Sequence, residues 1–419
     1  MEPITVLLLG AGSRGTDVYA EYARNNPTMM RIAAVAEPDD VRREKIQTDH
    51  RIPGNLAFTG WEQAFDKLPD VDGVIIATQD KKHAGPLAAA TARNVHILCE
   101  KPIVPTLEEC RAIEKGAAAF TKVFMICHVL KYTAFFSKIK ELLDTGRIGR
   151  LIGIDLIENV GHLHLSHSYV RGNWRSSAES SPMILAKSCH DMDILHWLAG
   201  APCESLSSYG ALHYFNAANA PSGAPARCLE GCPHMIRCPY HVSKIYLTDY
   251  TGWPVNVIST DLSMEGRLKA LEKGPYGRCV FHCDNDVVDH QTVAIQFANG
   301  VSATFTMSGF TMEIHRNITL FGTGGEISGD MEESRITIKE FSSGNIEVIK
   351  LASPVGGHSG GDNNLLTDFV WNIRDHNRPS KTSVKDSFES HYMAFAAEYS
   401  RLNMARTIKL GDFMTAQPI

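Results

Sequence analysis

Thr5 to Gly15 reads TVLLLGAGSRG, and the fold follows from it. Val6, Leu7, Leu8 and Leu9 form an unbroken apolar run, the pattern of a parallel strand buried on both faces. Gly10, Gly12 and Gly15 complete G-x-G-x-x-G. Between a strand and a helix this spacing is mechanical: a tight turn at Gly10, room for a pyrophosphate at Gly12, close helix–strand packing at Gly15. Ser13 and Arg14 lie in the same turn, where helix amides favour phosphate charge. A lone motif of this kind is weak. Here a helix over Thr16 to Asn25 and a second strand, Arg31 to Ala36, follow it. Glu37 then falls about 20 residues past the glycines, where a carboxylate binds a ribose diol and repels a 2′-phosphate. NAD is therefore expected, although Arg42 and Arg43 keep NADP open.

Further strands are read at Gly73 to Ala77, His96 to Cys99 and Val123 to Cys127, with helices between them. Alternation of this kind predicts a doubly wound parallel (Rossmann) sheet over residues 1–127. From 128 to 419 the pattern becomes α+β. Strands at Leu151 to Glu158, Thr292 to Phe297, Val301 to Ser308, Arg316 to Phe321, Arg335 to Lys339 and Asn345 to Lys350 predict a large antiparallel sheet, with an Asn299-Gly300 hairpin. Two helices, about Asn363 to Arg374 and Asp386 to Met404, close the chain. A small-residue loop from Asn216 opens a Cys- and Pro-containing insertion that runs to about 240.

The 419 residues, 44% of them apolar and 21% charged, describe an ordinary globular protein. A net charge of −6 argues against nucleic acid as a partner, and the lack of a long apolar run argues against a membrane span. No signal-peptide pattern precedes the first strand, so a cytoplasmic protein with reduced thiols is expected. Cys228-x3-Cys232-x5-Cys238 offers three soft ligands for zinc, with a fourth from His234, His241, Cys279 or Cys283. Buried thiols or a disulfide are the competing readings.

Glu100-Lys101-Pro102, at the end of the His96 to Cys99 strand, makes the chain recognisable. With GAGSRG, Ala77-Thr78-x-Asp80-x-x-His83, Asn173-Trp174-Arg175, the stretch around His190 and Gly322-Thr323-x-Gly325, it resembles the Gfo/Idh/MocA oxidoreductases. The resemblance implies an open sheet in the second domain that covers the nicotinamide, and a homodimer or homotetramer built on that sheet. It makes Lys101 the catalytic lysine and His190 its partner. It also brings Thr78, Gln79, His83, Glu100, His128, Trp174 and Arg175 to the cofactor. Where the family carries Asp-x-x-x-His this chain has Ala186, so Lys187, Asp191 or Asp193 is expected to supply the missing group.

Other candidates for substrate contact are Lys131 and Tyr132 after the last parallel strand, His162 and His164 on one face if they lie on a strand, His167, Tyr169, and His358 in a glycine-rich loop. The expected activity is hydride transfer between NAD and a secondary hydroxyl of a sugar, glycoside or cyclitol. A glycoside hydrolase working by transient C3 oxidation, elimination, water addition and re-reduction is the main alternative. A non-catalytic NAD-binding sensor is the third.

Overall fold

The computed structural model describes residues 2–67, 70–352, 357–375 and 377–415. Six parallel strands make the first sheet: β1 (Ile4–Leu9), β2 (Met30–Ala36), β3 (Ala57–Phe58), β4 (Gly73–Ile76), β5 (His96–Cys99) and β6 (Phe124–Ile126). Their spatial order is β3-β2-β1-β4-β5-β6. The order reverses between β1 and β4, which opens the ligand crevice at the carboxyl ends of the strands. Residues on β1 explain why the run is apolar throughout. Leu7 and Leu9 enter one buried cluster and Val6 and Leu8 another, on the opposite face.

The second sheet has nine strands: β7 (Leu151–Asn159), β8 (Cys203–Ala211), β9 (His290–Phe297), β10 (Ser302–Ser308), β11 (His315–Gly322), β12 (Gly325–Asp330), β13 (Arg335–Glu340), β14 (Ile346–Lys350) and β15 (Ile408–Lys409). It is antiparallel except that β10 runs parallel to β7. Alternate residues of β7, β9 and β10 are buried against helices while the others face outward. The helices Cys189–Ala199 and Val384–Leu402 cover the buried face.

The helix Gly361–Arg374 returns to the first sheet, where Leu365, Leu366, Phe369 and Val370 are fully buried beside Val6, Leu8 and Ile75. Burying each such side chain contributes roughly 1.5–3 kcal/mol.

One local expectation is corrected. His162 and His164 lie on a helical turn, His162–His164, that runs into a wide helix, Leu165–Arg171. Gly161, with φ +82°, ends the extended backbone of β7, and the strand-face argument for the two histidines lapses.

Candidate active site

The turn after β1 meets the crevice as its glycines require. Gly10 has φ +89°, and a Cβ there would stand 2.6 Å from the Ala77 carbonyl oxygen. A Cβ on Gly15 would stand 2.1 Å from the Gly10 carbonyl oxygen, but one on Gly12 would meet nothing within 4 Å. Two glycines are thus pinned by protein, and the middle one borders open space. Glu37, at the end of β2, is buried; its carboxylate accepts from the Ala11 amide at 2.6 Å and the Asp39 amide at 3.0 Å. That fixes the acid at the tip of the glycine turn.

Arg14 turns inward. Its guanidinium pairs with Glu100 and, at 2.8 Å, with Asp362. Tyr19 also donates to Glu100. Burial pushes the Glu100 carboxyl up, but Arg14 and Lys101 outweigh it and hold the group below its usual range. Glu100 therefore ties the glycine turn to the loop after β5. His83 holds the same loop from the other side, with Nδ1 2.8 Å from the Pro102 carbonyl oxygen and Nε2 3.0 Å from that of Thr78. Lys101-Pro102 is a cis peptide.

Lys101 crosses to the second domain, where its Nζ donates to the Ala186 carbonyl oxygen at 2.8 Å. Beside it, Lys187 Nζ lies 3.1 Å from Glu158 on β7. Arg316 on β11 is the direct cross-strand partner of Glu158 and contacts it at 2.7 Å, with Asp191 at 2.9 Å. Burial lowers the Lys187 pKa and Glu158 opposes that shift. Burial raises the Asp191 carboxyl, with Arg316 opposing.

One family accounts for the whole arrangement. The Gfo/Idh/MocA model described as an oxidoreductase family with an NAD-binding Rossmann fold matches residues 4–128, and the model of its C-terminal alpha/beta domain matches 140–403. The chain belongs to the Gfo/Idh/MocA oxidoreductase family. It is 26% identical to the YteT protein of Bacillus subtilis over 74% of each chain. It is 31% identical to an inositol 2-dehydrogenase of Streptomyces avermitilis over 52% of this chain, which spans 59% of that protein. Among solved structures, a levoglucosan dehydrogenase in complex with NADH and levoglucosan superposes with a TM-score of 0.72 at 16% identity, covering 98% of this chain and 100% of that one. An oxidoreductase from Agrobacterium radiobacter, in complex with NAD+, L-tartaric acid and magnesium, gives 0.69 at 16%, covering 97% and 98%.

In this Gfo/Idh/MocA oxidoreductase, His190 is buried 5.8 Å (ring to ring) from His128. Several other candidates are engaged with protein partners. His128 Nδ1 and Lys131 Nζ lie 2.9 and 2.8 Å from Asp193, and all three residues are buried. Burial would raise the Asp193 carboxyl, but His128 and Lys131 hold it down at about 2. Tyr132 donates to Asp368 at 2.7 Å on the far side of the parallel sheet. These four were expected at the ligand. Three of them meet in one buried salt-bridged cluster, and Tyr132 is hydrogen-bonded to Asp368.

His164 lies between Tyr169 and Trp253, and burial with Lys187, His167 and Lys101 keeps its ring neutral. His167 stacks on Tyr276 and accepts from, or donates to, the Tyr246 hydroxyl at 2.9 Å. His162 contacts the Thr311 carbonyl oxygen at 3.1 Å, away from the lysines. Trp174 Nε1 donates to Asp80 at 3.2 Å, and the Ser180 hydroxyl does so at 2.8 Å, so the 173–181 loop is pinned to the loop after β4. Arg175 pairs with Asp284 and Glu179 instead of turning toward the crevice. Thr78 bonds to the Lys82 carbonyl oxygen, Gln79 is exposed, and Ser13 donates to Asp17. The side chain of His358 lies outside the described residues.

Sequence reading missed Asp80 as an anchor, Glu158 and Arg316 under Lys187, Trp253 over His164, and His391. His391 accepts from the Ile103 amide at Nε2 and donates to Ser387 from Nδ1, which fixes its neutral tautomer behind the Lys101 loop. Only the register of β7 against β11 would have revealed the Glu158–Arg316 pair.

Proposed function

We propose that this oxidoreductase is an NAD-dependent dehydrogenase acting on a secondary hydroxyl of a sugar or cyclitol. The observation that carries the reading is the reach of Lys101, from the end of β5 to the Ala186 carbonyl at 2.8 Å, where Lys187 lies close enough to interact with it. Bound in the crevice, NAD would be held by the Gly10–Gly15 turn and Glu37, and would supply the hydride acceptor. NAD would be preferred over NADP because a carboxylate at Glu37, held against the glycine turn, would bind a ribose diol and repel a 2′-phosphate.

The chain's own residues handle the proton. Lys101 is the base that takes the proton of the substrate hydroxyl. His190 places that hydroxyl by a hydrogen bond. Lys187 takes the position left open by Ala186 and donates to a neighbouring hydroxyl, with Glu158 orienting its amine. His164, His167, Tyr169 and Trp253 form an aromatic wall suited to a sugar face. The nearby inositol 2-dehydrogenase and levoglucosan dehydrogenase agree with a polyol or anhydrosugar substrate.

The test is a panel of cyclitols, free sugars and aryl glycosides incubated with NAD. Stoichiometric NADH with the glycosidic bond intact is expected, and Lys101→Ala should lower kcat about 10²–10⁴-fold with NAD affinity retained. Release of phenol without net NADH would replace this reading with redox-cycling hydrolysis. Tight NAD binding with no turnover on any polyol would replace it with a sensor.

A further inference from the structure

Behind the aromatic wall, four cysteines from the insertion and its neighbouring loop line one small cavity of about 20 Å³: Cys228, Cys232, Cys238 and Cys279. Arg171 lies in the same cavity, fully buried. Its Nε donates to the Arg278 carbonyl oxygen at 2.8 Å and its Nη2 to that of Tyr240 at 2.7 Å, with Cys228 Sγ 3.7 Å from Nη2. Among the described residues, Nη1 has no hydrogen-bond partner and the contacts of this guanidinium are to carbonyl oxygens and a thiol, none to a carboxylate. A buried cation held only by neutral groups calls for an anion.

We infer that Cys228, Cys232, Cys238 and Cys279 form a structural zinc site, with Arg171 as its buried counter-cation. Four thiolates on one zinc ion carry a net double negative charge, and the guanidinium answers it. The backbone brings the donors together. The Cys228 amide bonds to the Gly277 carbonyl oxygen, and the Cys279 amide to that of Ala226, which pairs the two segments side by side. Pro233 and Pro239 follow Cys232 and Cys238 in tight turns, where the Cys238 amide returns to the His234 carbonyl oxygen.

The fourth ligand comes from the groups that line the cavity with the three insertion cysteines. His241 spends both ring nitrogens, on the Ser243 hydroxyl at 2.7 Å and the Cys228 carbonyl oxygen at 3.0 Å. His234 Nε2 is 2.8 Å from the Ser222 carbonyl oxygen. Cys283 donates to the Cys279 carbonyl oxygen at 3.3 Å and does not line the cavity. Cys279 remains.

The sulfurs are not yet gathered: no three of them lie within 4.8 Å of one another. Zinc entry requires the Cys side chains to change χ1 rotamer, which moves a sulfur by roughly 3 Å. The four thiols lose their protons to solvent as the ion enters.

The consequence reaches the active site through the chain. Arg171 ends the wide helix that carries His167 and Tyr169, and Tyr246, which meets His167, follows the Cys238 turn. The ion would hold that wall in place.

The test uses the full chain expressed with zinc and dialysed without chelator. Mass spectrometry should find about one zinc per chain. Cys232→Ser and Cys238→Ser should lose it, and Cys283→Ser should keep it. Should the variants not fold, cobalt loading of the wild-type chain decides: tetrahedral sulfur coordination gives intense visible bands. Absence of those bands with all four thiols open to alkylation overturns the inference. So does recovery of the four cysteines as disulfides, or zinc that survives in both Cys232→Ser and Cys238→Ser.

Discussion

At the residue scale, the site rests on charges that burial makes interdependent. Glu158 is wholly buried and touches both Lys187 and Arg316, and Arg316 also holds Asp191. Removing one partner from such a set leaves an uncompensated charge in a low-dielectric interior. Glu158→Gln should therefore cost about 3–5 kcal/mol, measured by urea unfolding. The same change removes the carboxylate that counteracts the downward shift of Lys187, so the pKa of this amine should fall further. A variant as stable as the wild type would show that the network is not a structural element. The sequence exposed Lys101 and His190 because their motifs are local. Glu158 and Arg316 were hidden because their pairing depends on strand register. Lys131 and Asp193 looked available because residue type does not reveal that two charges bury each other.

At the element scale, the glycine turn separates two roles that the motif merges. Gly15 and Gly10 are in contact with backbone, and only Gly12 borders open space. Gly15→Ala should force β1 and the following helix apart and lower Tm, since its Cβ meets a carbonyl oxygen at 2.1 Å. Gly12→Ala should leave Tm unchanged without cofactor while weakening NAD by tenfold or more, roughly the loss of one close phosphate contact. Calorimetry and NAD titration of both variants read the two effects separately, and equal stability losses would refute the division. The parallel strands were legible because each is a continuous apolar run between turn residues. β12, whose sequence GEISGD carries little alternation, and the two-residue β3 and β15 were not. The parallel pairing of β10 with β7 has no local signature at all. The His162 segment was misread because a glycine at positive φ turned a strand-like pattern into a helix.

At the scale of the whole molecule, the second sheet leaves one face open, a groove of about 440 Å³ lined by small and polar residues such as Ser207, Ala294 and Thr304. If a second copy covers it, as the resemblance implies, light scattering should give a dimer or larger, and Ala294→Arg should yield monomers. The pH dependence of stability follows from buried histidines on both sides of the domain junction. Burial, with Arg171, drives the His167 pKa down to about 3; burial, with His128, drives His391 down to about 3. In the unfolded chain both titrate near 6.5. Between about pH 6.5 and 3 the unfolded state therefore binds protons that the folded state refuses, so unfolding free energy falls as pH falls, by up to about 1.4 kcal/mol per pH unit for each histidine. Asp193 adds to this further down: its folded pKa of about 2 lies below the unfolded value near 3.9, so its contribution is present above that value and is lost as pH drops toward 2. Tm should thus be level from pH 8 to 7, decline steadily below about 6.5, and decline more steeply below about 4. His391→Gln should flatten the first decline, because one of its protons is gone. A Tm that holds constant from pH 7 to 5 in the wild-type chain would mean that both rings accept protons in the folded state, and would refute the neutral His391 that takes the Ile103 amide at Nε2.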